Sequence, residues 1–310
     1  MKYCEFYKEP KASLLFNSPI ILAEMGARNC YESFHAMDID ILKAFDCDGA
    51  KEFHKALQID DRELNVEWVR FTNYFFDKDF DNKEYKELKT YFLTKLMEYN
   101  PERIIKYAKP NTKFIRSIAL ENGHDSTIEH VNLTFRLEMP RNVLQELSRH
   151  RLGISPSVKS TRYTLTTLIK AFKRYVKYFE DHGEGGMYED IYKKRFQESM
   201  GVLDIDIQDI DFEGFTKKLM ILSRKGITLK NDIVKNVITE HWWCNGQYTM
   251  NLRALTNLFN LRLDGSAFLP FRMLAHNIYM ALPDVFKSVY KEDYDANIKG
   301  IEEIWNSEIK

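Results

Sequence analysis

Residues 148–165 read SRHRLGISPSVKSTRYTL: four arginine or lysine side chains, one histidine and seven hydroxyls in eighteen positions, with no carboxylate among them. A guanidinium fork matches the oxygens of phosphate or carboxylate, and the hydroxyls and backbone N–H groups of a serine-rich loop complete their coordination. The stretch fits capture of a phosphate or pyrophosphate. Tyr163, between Arg162 and Thr164, adds an aromatic face beside cations, which suits a planar heterocycle. Arg149, His150 and Arg151 would fan about 100° apart on a helix. Either part of this triplet is buried against something anionic, or the chain leaves the helix here. The plainer reading is a solvated loop at a helix C-terminus, where cations gain about 0.3–1 kcal/mol from the helix dipole; that leaves Lys159 and Arg162 unexplained.

Two further stretches hold chemistry-bearing side chains. ENGHDSTIEH, residues 121–130, carries His124, Asp125, Ser126, Glu129 and His130. Adjacent His and Asp occur in metal-dependent phosphohydrolases; the alternative is a helix ended by Gly123, a turn capped by Asp125 or Ser126, and two satisfied histidines. NLRALTNLFNLRLDG, residues 251–265, sets Arg253, Asn257 and Asn260 on one helical face and Leu252, Leu255 and Phe259 on another. Asparagine costs roughly 0.5 kcal/mol of helix propensity against alanine. Three in one helix is poor helix design unless the amides read a ligand's donors and acceptors, or simply face water.

These residues must be held by a frame. HVNLTFRLEM alternates strictly, with Val131, Leu133, Phe135, Leu137 and Met139 on one side, and is the clearest strand of the chain. Pro140 closes it, RNVLQELSRHR returns to helical spacing, Gly153 and Pro156 mark a loop, and TRYTL reads as extended. SPIILAEMGARNCYES reads as a helix with Ser18 as N-cap and Pro19 in its first turn. Helical spacing dominates residues 60–122, residues 181–214 read as a surface excursion, and helices recur around NDIVKNVIT, in NLRALTNLFNLRL and from Phe268 onwards, interrupted at Pro283. HWWCNGQYTM reads only as a short polar and aromatic piece.

With 310 residues and 44% hydrophobic side chains the chain can bury a large core without disulfides. Cys4, Cys30, Cys47 and Cys244 have no metal-ribbon spacing, which fits a reducing, cytoplasmic setting. No signal peptide or membrane-spanning stretch is expected. Forty-five basic residues against 46 acidic ones make the basic stretch a local site rather than a general affinity for nucleic acid.

RHR followed by a serine-rich loop ending in STRY resembles the signature of the flavin-dependent thymidylate synthases. GHDSTIEH is similar to that family's Gly-His-x-Ser/Thr-x-x-Glu-His segment, NLRALTNLFNLR to its Asn-x-Arg-x-x-x-Asn-x-x-x-x-Arg helix, and ARNCYES, less specifically, to an early segment, all in the same order. The resemblance implies conversion of dUMP to dTMP with methylenetetrahydrofolate as one-carbon donor and NADPH as reductant through bound FAD. It also implies a homotetramer, with no metal, nucleic-acid or membrane partner, and no attacking protein cysteine. It implies one α/β (α+β) domain spanning residues 1–310, with a mainly antiparallel central sheet flanked by helices and two long insertions at about 34–110 and 166–228.

By the same resemblance, Arg149, His150, Arg151, Ser126, Asn251, Arg253, Asn257 and Cys30 match flavin contacts. Ser160, Thr161 and Arg162 match the loop around the dUMP phosphate, with Arg149 also near the nucleotide. Arg262 matches the catalytic arginine that favours the ionised uracil ring and binds the nucleotide, and Lys235 stands where an arginine often reaches it. Glu146 replaces a frequent glutamine among the substrate-binding residues, with Gln145 beside it; Val158 replaces a glutamate or glutamine; and the spacer LGISPSVK is one residue longer than common. A metal-dependent nucleotide phosphohydrolase built on His124 and Asp125, and a nucleic-acid module using the basic loop, are the competing classes. Neither accounts for the Asn/Arg helix.

Overall fold

Alternating apolar side chains on one strand demand a covered face. The computed structural model, which describes residues 2–6, 8–45, 61–183, 189–200, 206–238, 240, 242–298 and 300–308, supplies it. Among the described residues six strands run in chain order: β1 (Lys11–Asn17), β2 (Asp38–Ile39), β3 (Ala108–Lys109), β4 (Asn132–Pro140), β5 (Ile154–Val158) and β6 (Trp243–Asn251). The longer helices are α1 (Ile21–Cys30), α2 (Asp61–Phe76), α3 (Lys83–Tyr99), α4 (Arg141–Leu147), α5 (Thr161–His182), α6 (Glu189–Met200), α7 (Asp206–Arg224), α8 (Leu252–Arg262), α9 (Leu269–Met280) and α10 (Asp284–Ile298). Cys47 lies outside the described residues.

The main sheet has the order β1-β4-β6-β5, every neighbour antiparallel. On β4 the expected face is buried: Leu133, Phe135 and Leu137 are fully covered, and Leu133 and Phe135 lie opposite Met250 and Tyr248 of β6. Leu255 and Leu258 of α8 and Phe271, Leu274 and Ile278 of α9 complete that core. Full burial of each large apolar side chain contributes about 1.5–3 kcal/mol. Thr134 and Thr249, facing each other at 2.9 Å, belong to the polar side of the same strands.

Residues 34–110 and 166–228 contribute to two further apolar clusters. Phe71 of α2 and Phe92, Leu93 and Leu96 of α3 pack with Ile21 and Met25 of α1. Phe172 of α5, Phe196 of α6 and Phe215 and Leu219 of α7 pack with Trp242 and Cys244 at the start of β6. Helix α1 is pinned by a buried pair, Glu24 with Arg28 at 3.1 Å; the other Glu24 oxygen accepts from the Asn111 backbone N–H at 2.7 Å.

Several sequence expectations are corrected here. Helix α1 begins at Ile21, because the Ser18 backbone N–H and hydroxyl are engaged with Asn132, at 2.8 and 3.3 Å, which ties β1 to β4. TRYTL opens α5 instead of an extended segment: Leu165, Leu168, Ile169 and Phe172 recur at helical spacing and are buried, and this outweighs the threonines. HWWCNGQYTM contributes most of β6, a central strand, and residues 189–200 and 206–214 are helical. Around NDIVKNVIT only Asn231–Val234 is regular helix.

Gly153 is the junction between β5, β6 and α8. Its φ is +70°, its carbonyl accepts from the Asn251 N–H at 3.1 Å, and an added Cβ would stand 2.5 Å from Asn251 Oδ1. Gly183 has the same φ with nothing within 4 Å of an added Cβ. Gly153→Ala is expected to destabilise the chain by about 1–3 kcal/mol or more, and by more than Gly183→Ala, in urea unfolding; equal losses would show that the close approach to Asn251 contributes nothing.

Candidate active site

Pro140 ends β4 and starts α4, which lasts only two turns. It closes with tight turns in which the Arg149 N–H donates to the Glu146 carbonyl at 3.2 Å and the His150 N–H to the Leu147 carbonyl at 3.0 Å. The basic triplet therefore lies beyond the helix and alternates: Arg149 and Arg151 are exposed, His150 is buried, and Leu152 is 80% exposed before Gly153 turns the chain into β5.

This segment is a wall between two clefts. One, of about 650 Å³, is lined by Leu152 and Gly153, by the α8 face bearing Arg253, Asn257 and Asn260, and by Asp125 of the turn Asp125–Ile128. The polar α8 face expected from spacing is exposed here while Leu252, Leu255 and Phe259 point into the core. Asn251 caps α8, its side chain accepting from the Ala254 N–H at 2.8 Å. Arg253 bridges Asp125 at 3.2 Å and Glu129 at 2.5 Å, so α8 is tied to the GHDSTIEH turn, and this pairing raises its pKa further. The second cleft, of about 660 Å³, lies across the wall, with Arg151, Lys159, Ser160, Lys235 and Tyr248 among its lining residues and no carboxylate. Arg141 of this lining pairs with Glu240 at 3.9 Å; the other cations and the hydroxyls converge in a way that suits an anion.

Joined to the second cleft through His150 is a charge cluster. Glu146 accepts Arg149 on one carboxylate oxygen and Arg262 on the other, each at 3.3 Å. Arg262 also donates its Nε–H to His150 Nε2 at 3.0 Å and lies 4.6 Å over the Phe271 ring. Because guanidinium only donates, His150 Nε2 must accept, and the neutral ring carries its proton on Nδ1. That Nδ1–H is buried and has no partner among the described residues, a donor open to an acceptor atom. Burial, and secondly the Arg262 charge, lower the His150 pKa, and Glu146 opposes them.

The sequence-derived residues thus divide. Asn251, Arg253 and Asn257 share the first cleft; His150, Arg151, Ser160, Lys235 and Val158 share the second, with Gln145. Thr161 and Arg162 occupy the first turn of α5, directly after Ser160. Cys30 and Ser126 are exposed and line neither cleft; Cys30 precedes Tyr31, whose hydroxyl meets His124 Nε2 at 3.3 Å. The metal reading finds no support: His124 faces Tyr31, Asp125 faces Arg253, and among the described residues no three His, Cys, Asp or Glu side chains group to hold a metal. Cys244 also lines the second cleft, but burial raises its thiol pKa, so it stays protonated.

Sequence reasoning missed Tyr248 and Phe271. Tyr248 is hidden because HWWCNGQYTM, with Gly246 between Cys244 and Tyr248, carries no clean strand alternation, and no signal marks Phe271 as the surface beneath Arg262.

The lowered His150 pKa fixes a sign. The unfolded chain takes up this proton near the ordinary value of 6.5 and the folded chain only at lower pH, so stability falls as pH drops through that window and levels off below the folded value. Urea midpoints of the native protein are expected to fall between pH 7.5 and 5, and His150→Gln to flatten that slope; an unchanged slope would contradict a neutral buried His150.

The family model described as thymidylate synthase complementing protein matches residues 21–286. A flavin-dependent thymidylate synthase of Campylobacter jejuni (strain RM1221) is 34% identical over 177 residues, covering 57% of this chain and 77% of that protein. A Wolinella succinogenes protein of the same name is 31% identical over 172 residues, covering 55% and 76%. The crystal structure of thymidylate synthase X from Helicobacter pylori with FAD and dUMP shares the fold, with a TM-score of 0.56 at 20% identity over 92% of this chain and 98% of that one. This chain belongs to the Thy1 family, the thymidylate synthase complementing proteins.

Proposed function

We propose that this chain is a flavin-dependent thymidylate synthase that converts dUMP to dTMP, with methylenetetrahydrofolate supplying the carbon and NADPH the reducing equivalents through bound FAD. The observation that carries the proposal is the pair of clefts on either side of residues 151–154, one cationic with no carboxylate among its described lining residues, the other faced by the Arg253–Asn257–Asn260 surface of α8. Membership of the family and the names of its relatives support it independently.

In this reading the dUMP phosphate is held by Ser160 and Lys235, with Thr161 and Arg162 at the start of α5; Arg151, which the resemblance counts with the flavin contacts, lines the same cleft with Lys159 and adds to its positive charge. A lysine at position 235 supplies charge without a bidentate fork. Asn251, Arg253 and Asn257 line the cleft that would hold FAD, and their amide-rich helix face fits a heterocycle with several acceptors; Arg149 stands between flavin and nucleotide, and His150, which the resemblance counts with the flavin contacts, offers its buried Nδ1–H from the nucleotide side of the wall. FAD, when bound, supplies the two-electron chemistry that passes reducing equivalents from NADPH to the product. Arg262, fixed by His150, Glu146 and Phe271, places a guanidinium where negative charge develops on the pyrimidine ring. With the Cys244 thiol held protonated, the cleft presents no thiolate to the ring. A homotetramer and a cytoplasmic location complete the proposal, both resting on the family resemblance.

The test is spectroscopic. The purified protein should show flavin bands that bleach anaerobically with NADPH and recover with dTMP formation when dUMP and methylenetetrahydrofolate are added; a chain that stays colourless after incubation with FAD would sink the reading. Arg262→Ala should keep its flavin-to-protein ratio and lose about a hundredfold or more in kcat. Near-normal turnover of a flavin-loaded R262A protein would remove Arg262 from the chemistry.

A further inference from the structure

Glu146 is the one acid among the residues expected at the nucleotide, and its geometry is specific. Both carboxylate oxygens are engaged, one with Arg149 and one with Arg262, each at 3.3 Å. Arg149 is mostly exposed, with 72% of its side chain open, whereas Arg262 is 18% exposed and further fixed by the Nε–H bond to His150 and by Phe271. The ion pair therefore lies mainly where solvent screening is weakest, on the Arg262 side. Of Arg262's N–H groups, Nε serves His150 and Nη2 serves Glu146, while Nη1 makes no hydrogen bond among the described residues. Nη1 is the end left to meet a ligand.

The charged and titratable groups facing Glu146 are Arg149 and His150 on the turn after α4 and Arg262 on α8. His150 is neutral here, so two cations and one anion leave a net charge of +1 where a glutamine would leave +2. A glutamine would keep the size and the hydrogen-bonding capacity and discard the negative charge.

We propose that Glu146 is a positioning residue that holds Arg149 and Arg262 at a fixed spacing and withholds part of Arg262's charge from the pyrimidine ring, so that this chain favours the ionised ring less than its Glu146→Gln variant would. The proposal rests on the functional reading above. Glu146 makes no bond to substrate in it; it acts through the guanidinium that does.

A nucleotide whose ring ionises readily and carries its own reporter tests this without turnover. 5-Fluoro-dUMP, with an N–H made more acidic by fluorine, is bound to the flavin-loaded protein and its ¹⁹F resonance followed against pH. In E146Q the midpoint of ring ionisation in the bound nucleotide should fall by about one pH unit or more relative to the native protein, the effect of unmasking one nearby charge. Glu146→Asp, which keeps the charge, should stay close to the native midpoint and well apart from E146Q. Equal midpoints in native and E146Q proteins, or an E146D shift as large as that of E146Q, would overturn the proposal while leaving the synthase reading intact. A native chain that takes up neither flavin nor 5-fluoro-dUMP would overturn the synthase reading, and the role of Glu146 with it.

Discussion

The approach of Gly153 to Asn251 is the contact on which the site depends. One asparagine does two jobs there: its backbone N–H bonds the Gly153 carbonyl and its side chain caps α8. The first fixes where β5 leaves the basic turn, and the second fixes where the Arg253–Asn257–Asn260 face begins. A side chain at position 153 would collide with the cap, so the register of β5 against β6 and the start of α8 are set together. The segment between His150 and Ile154 consequently stands as a wall with a different chemistry on each side. Gly246 extends the same constraint along the sheet, since an added Cβ would lie 2.8 Å from the Ser157 carbonyl.

Energetically the site is supported from below. The covered face of β4 and β6 joins α8 and α9 in one apolar cluster, and Arg262 crosses the edge of that cluster over Phe271. A guanidinium stacked on an aromatic ring and bonded at two further points loses little additional freedom when a ligand arrives. His150 shows the complementary economy: its buried ring gives Nε2 to Arg262 and leaves Nδ1–H without a protein partner, an arrangement costly by about 1–3 kcal/mol unless a ligand accepts it. Two further apolar clusters, around Phe92 and around Phe172, adjoin this arrangement, the second sharing Cys244 with the cationic cleft.

Much of this was legible in the sequence where one signal dominated. The alternation from Val131 to Met139 had a single physical reading, and the split between Leu252, Leu255, Phe259 and Arg253, Asn257, Asn260 survived as core against cleft. Signals failed where two competed. Threonine at positions 161, 164, 166 and 167 argues for extended chain, and only packing of Leu165, Leu168 and Phe172 decides for a helix. Gly246 falls among the buried positions of β6, so Cys244, Tyr248 and Met250 do not read as one face. Strand β1 sits at the sheet edge with Phe16 61% exposed and a register shift beside it, which erases its period. Ion pairs such as Glu146 with Arg262, 116 positions apart, leave no local trace at all.

The central claim is that a nucleotide in the cationic cleft and a flavin in the amide-lined cleft meet across one wall of chain. Its most direct measurement is a titration of dUMP into the oxidised, FAD-loaded protein, followed in the visible flavin bands and in parallel by equilibrium dialysis. The account predicts a saturable change in the flavin spectrum that tracks nucleotide occupancy. Full occupancy by dUMP with an unaltered flavin spectrum would contradict it.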